Sequence, residues 1–219
     1  MNFSDSPALI LGMVIALALL PYLAVMVTAF AKIVIVFSLL RNALGLQQTP
    51  PNLVINGLAL ILSVYVFYPV GLQMSDLAEK SMAGKPKVTE MSQMMRIAND
   101  SKGPLVDFMV KHSTEAERAF FKRTAQQLLP EDKRSMIGDR DLMVVIPAYT
   151  VAELSAAFKI GFLIYLPFLV IDLVVSNILL GMGMMMLSPT TVSLPFKLLM
   201  FVLLDGWSRL IHGLIETYK

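Results

Sequence analysis

Residues 53–72 read LVINGLALILSVYVFYPVGL, an apolar run without one charged side chain. Crossing the hydrocarbon core of a bilayer takes about 20 helical residues, so this stretch is long enough to span and carries nothing that resists insertion. A helix that is apolar on every side must be surrounded by lipid or by other apolar helices. The whole composition agrees: 56% of the chain is apolar and 16% charged, where about 25% charged is usual for a soluble domain.

Upstream of this run, Ala8 to Leu40 is apolar for longer than one crossing needs, interrupted by Pro21 and Lys32 and closed by Arg41 and Asn42. It has to kink, tilt or protrude, and Pro21 is the expected break because proline removes a backbone donor and clashes with the preceding turn. Leu44 to Asn52 forms a short link with Gly45 and Pro50-Pro51 as breakers. Downstream, Gln73 to Asp141 turns polar, with breaks at Gly84-Lys85-Pro86 and Gly103-Pro104. Apolar residues recur there at helical spacing, at Leu105, Phe108 and Met109 and at Phe120, Phe121, Leu128 and Leu129.

Leu142 to Leu187 is apolar again, punctuated by Pro147, Glu153, Lys159, Pro167 and Asp172. After Ser188-Pro189 the last run, Val192 to Ile215, carries Pro195, Lys197, Asp205 and Arg209. The pattern predicts an all-α membrane protein with about four long hydrophobic helices in two hairpin-like pairs, residues 1–72 and 142–219, around a helical polar module at 73–141. Both halves follow a plan of helix, short link, helix, without a residue-level repeat. Ahead of the first run stands Asp5 but no Lys or Arg, so that run reads as retained and not as a cleaved leader. Arg41 and Lys197 beside the two links place both links in the cytoplasm by the positive-inside rule, and the polar module in the periplasm.

Several function classes drop out. The net charge is +2, with basic and acidic residues alternating, which leaves no footprint for nucleic acid. There is no cysteine. No HExxH, Walker or GxSxG pattern occurs, and the two histidines, His112 and His212, stand alone. An intramembrane aspartyl dyad of Asp172 and Asp205 lacks its glycine context. The chain therefore reads as no enzyme, with no cofactor and no metal.

The remaining candidates are polar groups in apolar runs. Lys32 would cost ~2.5 to 3.5 kcal/mol facing hydrocarbon at mid-depth. Pairing with a carboxylate such as Asp172 is one solution, snorkelling another, and a pore-lining or subunit-contact charge a third. Asp172 has Ser176 one turn on and Asn177 beside it, a stripe suited to a neighbouring helix or a wet cavity. Asp205 and Arg209 are spaced for an i,i+4 pair. Met182, Met184, Met185 and Met186 crowd the end of the third run, between Gly181 and Gly183 as hinges and Pro189 as a stop. Adjacent methionines cover more than one helix face, so plain core filling and an adaptable seal both stay open.

Four segments in order and spacing resemble the SctR/FliP family, the R subunit of the type III secretion export apparatus. They are RNALGLQQTPPN at 41–52, FKIGFLIYLPF at 158–168, GMMMLSP at 183–189, and LPFK at 194–197 running on to Leu204-Asp205-Gly206-Trp207. Ala152 stands before Glu153 where a serine is common in the family. The compact N-terminus looks more like the injectisome branch than the flagellar one.

The resemblance implies a pore-forming export-gate subunit in a bacterial inner membrane. A pentamer would join the S and T subunits, the large export-gate and basal-body proteins and lipid in a helical funnel that passes unfolded substrates. It implies a gasket of Met184, Met185 and Met186 on the axis. It also makes Lys32, Glu153, Lys159, Asp172, Asn177, Lys197, Asp205 and Arg209 buried polar groups or contacts between subunits. The alternative is a small-solute secondary transporter, for which four spans is few.

Overall fold

The computed structural model describes residues 7–82, 91–184 and 186–219. The expected break at Gly84-Lys85-Pro86 and the expected gasket residue Met185 lie outside them. Among the described residues the chain is helical without strands: α1 Pro7–Val27, α2 Phe30–Ala43, α3 Asn52–Met82, α4 Met91–Ser101, α5 Gly103–Lys111, α6 Glu115–Leu128, a 3-10 turn Glu131–Met136, α7 Leu142–Gly181, α8 Pro189–Leu203 and α9 Gly206–Glu216.

Of these, α3 and α7 are each long and apolar enough to cross a membrane. The first and last apolar runs are broken instead, by a bend of 76° between α1 and α2 and of 61° between α8 and α9. The count of four spans holds if each bent pair is one span. Pro21 is not the break: α1 runs through it and ends at Val27. The bend falls at Thr28-Ala29, where the chain turns from exposed α1 into the core. Ala29, Ile33, Val36 and Phe37 there pack against Ala59 of α3, Ala157 of α7 and Leu214 of α9, so tertiary burial overrides the proline.

The helix α2 lies at the centre, with Lys32, Ile33, Val36, Phe37, Leu40 and Ala43 all buried. Along α7, Glu153 lies opposite Lys32, Gly161 opposite Leu39, and Phe168 among Leu40, Ala43 and Leu44. The rising pairs mean that α2 and α7 run in the same direction. Gly161 permits the approach, since a Cβ there would sit 2.2 Å from Leu39 Cδ1. From Phe168, level with the end of α2, α7 continues to Gly181, roughly 20 Å further at helical rise. The α7–α8 hairpin therefore projects well past the 41–52 link.

In the polar module, Thr114 caps α6 by accepting from the Glu117 N–H at 3.3 Å, with glutamate at the third helical position as in a capping box. Asp141 caps α7 by accepting from the Met143 N–H at 3.4 Å. Phe108 and Met109 of α5 pack on Val145 and Tyr149 of α7, which fixes the module on the near end of α7, opposite to the projecting hairpin.

The chain exposes 14619 Å², where a globular monomer of its mass exposes about 10,000 Å². Much of the excess is apolar: Leu53, Ile61 and Tyr65 of α3, Phe162 and Leu163 of α7, and Phe196, Val202 and Leu203 of α8 all face outward. Surface of that kind has to be covered by lipid or by other chains.

Candidate functional site: two buried ionic clusters and a methionine tip

The first cluster sits where α2, α7 and the end of the chain meet. Lys32 Nζ lies 3.0 Å from Glu153 Oε1, and both side chains are 4% exposed. The ammonium also donates to Thr217 Oγ1 at 3.2 Å and sits 3.9 Å from the centre of the Tyr218 ring, a favourable place for a desolvated cation. The Tyr218 hydroxyl donates to the other carboxylate oxygen, Glu153 Oε2. Burial beside that carboxylate pushes the Tyr218 phenol well up, which keeps it a donor. Tyr149 is buried next to the cluster, its hydroxyl unpaired among the described residues. Removing one member of so dry a pair strands the other charge, a loss of about 3–5 kcal/mol.

The carboxylate that Lys32 takes is Glu153, not the Asp172 that the spacing of apolar runs allowed. Parallel packing puts residue 153 level with 32, and Asp172 is roughly 28 Å further along α7. Asp172 belongs to a second cluster. It accepts from Lys197 Nζ at 2.6 Å and from Ser193 Oγ at 2.6 Å, both on α8, in place of the expected stripe with Ser176 and Asn177. Lys197 also donates to the Ala43 carbonyl at the end of α2, at 3.0 Å. One buried cation thus joins α2, α7 and α8, complementing the negative end of the α2 dipole.

Burial of Lys197 has a consequence for orientation: its charge is spent inside the fold, so it does not count as a loop charge. Arg41 is turned inward as well, donating to the Pro50 carbonyl at 3.2 Å and to Asn52 Oδ1 at 2.6 Å across the link.

The projecting tip is defined by how α7 stops. The Gly183 N–H donates to the Leu180 carbonyl at 3.0 Å and the Met184 N–H to the Leu179 carbonyl at 2.9 Å, with Gly183 at φ +73. This is a Schellman cap, which needs a left-handed residue where glycine stands. Met184 is 46% and Met186 101% exposed. Gly181 is exposed inside the last turn of α7, and Pro189 opens α8 at a position where its missing N–H does no harm.

The other expected residues are scattered. Lys159 and Asn177 face outward. Arg209, also exposed, rims an otherwise apolar cavity of about 500 Å³ between α7, α8 and α9, lined by Ile164, Phe168, Phe201 and Leu210 among others. Asp205 and Arg209 form no side-chain pair. The bend puts Asp205 at φ 50 ahead of α9, and only its carbonyl meets Arg209, at 3.1 Å from the backbone N–H. The i,i+4 spacing fails because the helix does not run through residue 205. Among the described residues no three metal-ligating side chains converge.

Sequence reasoning missed Thr217, Tyr218 and Ser193. Ser193 sits in an apolar run four residues ahead of Lys197, a spacing that signals a shared helix face once Lys197 is known to be buried. No signal marks the tail, because Thr217 and Tyr218 reach Lys32 across almost the whole chain.

Residues 13–214 match the model of the FliP family. The chain is 48% identical over 212 residues to the hypersensitivity response secretion protein HrcR of Ralstonia nicotianae, covering 97% of each chain. It is 51% identical over 202 residues to the Yop proteins translocation protein R of Yersinia pestis, covering 92% of each. To the virulence protein YscR of Salmonella typhimurium it is 44% identical over 220 residues, covering 100% of each.

Proposed function

The chain belongs to the FliP family, and we propose that it is a pore-forming export-gate subunit of a type III protein secretion system in a bacterial inner membrane. Five copies of the chain stand side by side with the S and T subunits and join the large export-gate and basal-body proteins. Together they enclose a conduit for unfolded substrates. The family supports secretion as the process; relatives named for secretion and translocation do not favour the solute-transporter alternative.

One observation carries the gate reading: a hairpin projecting roughly 14 Å past its Asp172–Lys197 anchor ends in exposed methionines on a glycine-capped turn. Soft, unbranched thioethers from several copies pack against one another without a fixed register and part again when a chain passes. Met184 and Met186, with Met185 between them, form that collar in this reading. Gly181, Gly183 and Pro189 set where the tip bends, and Asp172 with Lys197 holds its base. The apolar excess of the surface is covered by neighbouring subunits and lipid. The polar module faces the periplasm.

The test is electrical. Replacing Met184, Met185 and Met186 by Ala in the assembled complex raises passive ion conductance and sensitises cells to small toxic solutes. Unchanged leak in a normally assembled complex would place the seal elsewhere. Topology reporters at Lys102 and Gln47 give opposite signals, periplasmic at the first; a cytoplasmic signal at Lys102 reverses the orientation.

A further inference from the structure

Thr217, Tyr218 and Lys219 follow α9 and touch three elements at once. Thr217 and Tyr218 complete the Lys32–Glu153 cluster of α2 and α7. The Tyr218 ring stacks on Phe108 of α5 with centroids 6.1 Å apart and planes 11° from parallel. It also leans on His112 at 5.0 Å, and Lys111 Nζ donates to the Lys219 carbonyl. The segment therefore fastens the polar module to the buried ion pair.

His112 ends α5 at its C-cap. Its ring is pressed between Phe108, at 4.8 Å, and Tyr218, and Nε2 is buried without a hydrogen-bond partner among the described residues. The charged and titratable groups around it are mostly cations or already engaged. On its own helix stands Lys111. From α6, the Arg118 guanidinium donates to the Val110 and Ser113 carbonyls. From α2 comes Lys32, and from the tail Lys219 with the Tyr218 hydroxyl. From α7 come Tyr149 and Glu153, the latter occupied by Lys32 and Tyr218. A proton on Nε2 finds no acceptor among these side chains.

We infer that Thr217–Lys219 is a strap closing α5 onto the Lys32–Glu153 pair, and that protonation of His112 releases it. Burial first, then Lys32 and Lys111, holds the His112 imidazole down at about 4, against about 6.5 when free. The open strap thus binds the proton more tightly than the closed one. Closure is complete above about pH 6.5 and weakens as pH falls toward about 4. This inference does not depend on the methionine collar.

Hydrogen exchange on the full chain in its solubilised complex tests it, followed in peptides covering 214–219 and α5 at about pH 7.5 and about pH 5. Wild type loses about thirtyfold protection on acidification beyond the intrinsic rate change, whereas His112→Gln keeps its protection. Tyr218→Phe, which retains the ring and loses the hydroxyl donor, is less protected at the higher pH and still responds to acid. A wild-type profile flat across the window overturns the strap's release, and so does a parallel loss in His112→Gln. Full protection in Tyr218→Phe overturns the part given to the hydroxyl.

Discussion

The helices α2 and α7 run the same way and end the same way, yet the two turns that follow have opposite surroundings. After α2, Gly45 at φ +78 donates to Asn42 and Leu46 to Arg41, at 3.0 and 3.1 Å, the same Schellman pair of bonds seen at Gly183 and Met184. Gly45 is itself exposed, but side chains close on the turn: Leu194 Cδ1 lies 3.6 Å from where a Cβ would stand, Lys197 takes the Ala43 carbonyl, and Arg41 spans the link to Asn52. Around Gly183, among the described residues, nothing lies within 4 Å of where a Cβ would stand. One backbone device therefore serves as a clamp where side chains close on it and as a free tip where methionines replace them. The glycine stops the helix, and its neighbours decide what the stop is for.

The largest effect comes from breaking the clamp. Lys197→Met leaves Asp172 with Ser193 alone and uncovers the Ala43 carbonyl, a loss of about 3 kcal/mol of folding stability, at the lower end for a buried pair because Asp172 is partly exposed. A denaturant or thermal midpoint of the detergent-solubilised chain reads it. The double variant Lys197→Met with Asp172→Leu recovers much of that loss, because no stranded charge remains. A single variant as stable as wild type would show that the α2 turn is held by packing alone.

Next in size are the glycines themselves. Gly45→Ala forces a left-handed alanine into a turn that side chains hold in place and loses about 1–2 kcal/mol, measured in the same melts. Gly183→Ala meets the same backbone penalty, but an uncrowded turn relaxes into another conformation and loses less. The difference between the two variants, not either alone, measures how much tighter the first turn is held. Equal losses would mean that the tip is as constrained as the clamp.

Much of this contrast was legible in the chain. Apolar runs gave the helices, Gly45 and Pro189 marked the stops with Gly183 as a hinge, and buried-charge reasoning singled out Lys32 and Asp172, while Lys197 read from the residues alone as a link charge. What the sequence lacked was register. Apolar periodicity says that Lys32 needs a carboxylate but not which one, since the choice of Glu153 follows from α2 and α7 being parallel and from Leu39 seating against Gly161. It missed the bends at 28–29 and 204–205 for the same reason. Proline is the local signal for a break, and these breaks are set by burial of Ala29 and by Phe201, which stands where a side chain at Gly206 would go. Tyr218 was invisible because an aromatic in a short polar tail has no periodicity to read.

The smallest effect tests the free tip. Met186 is fully exposed in the single chain, so Met186→Leu and Met186→Val change folding stability by no more than about 0.5 kcal/mol, within the range of surface substitutions. Their consequences appear only where copies meet. Leucine keeps the volume and most of the reach of methionine but loses one rotatable bond. Valine is shorter and stiff at χ1. If the tip seals by adaptable packing, resting conductance rises in the order methionine, leucine, valine while melting midpoints stay together, because the property lost is compliance and not burial within one subunit. If melting and conductance move together, Met186 belongs to the fold of its own chain, and the contrast between a clamped turn and a free one disappears.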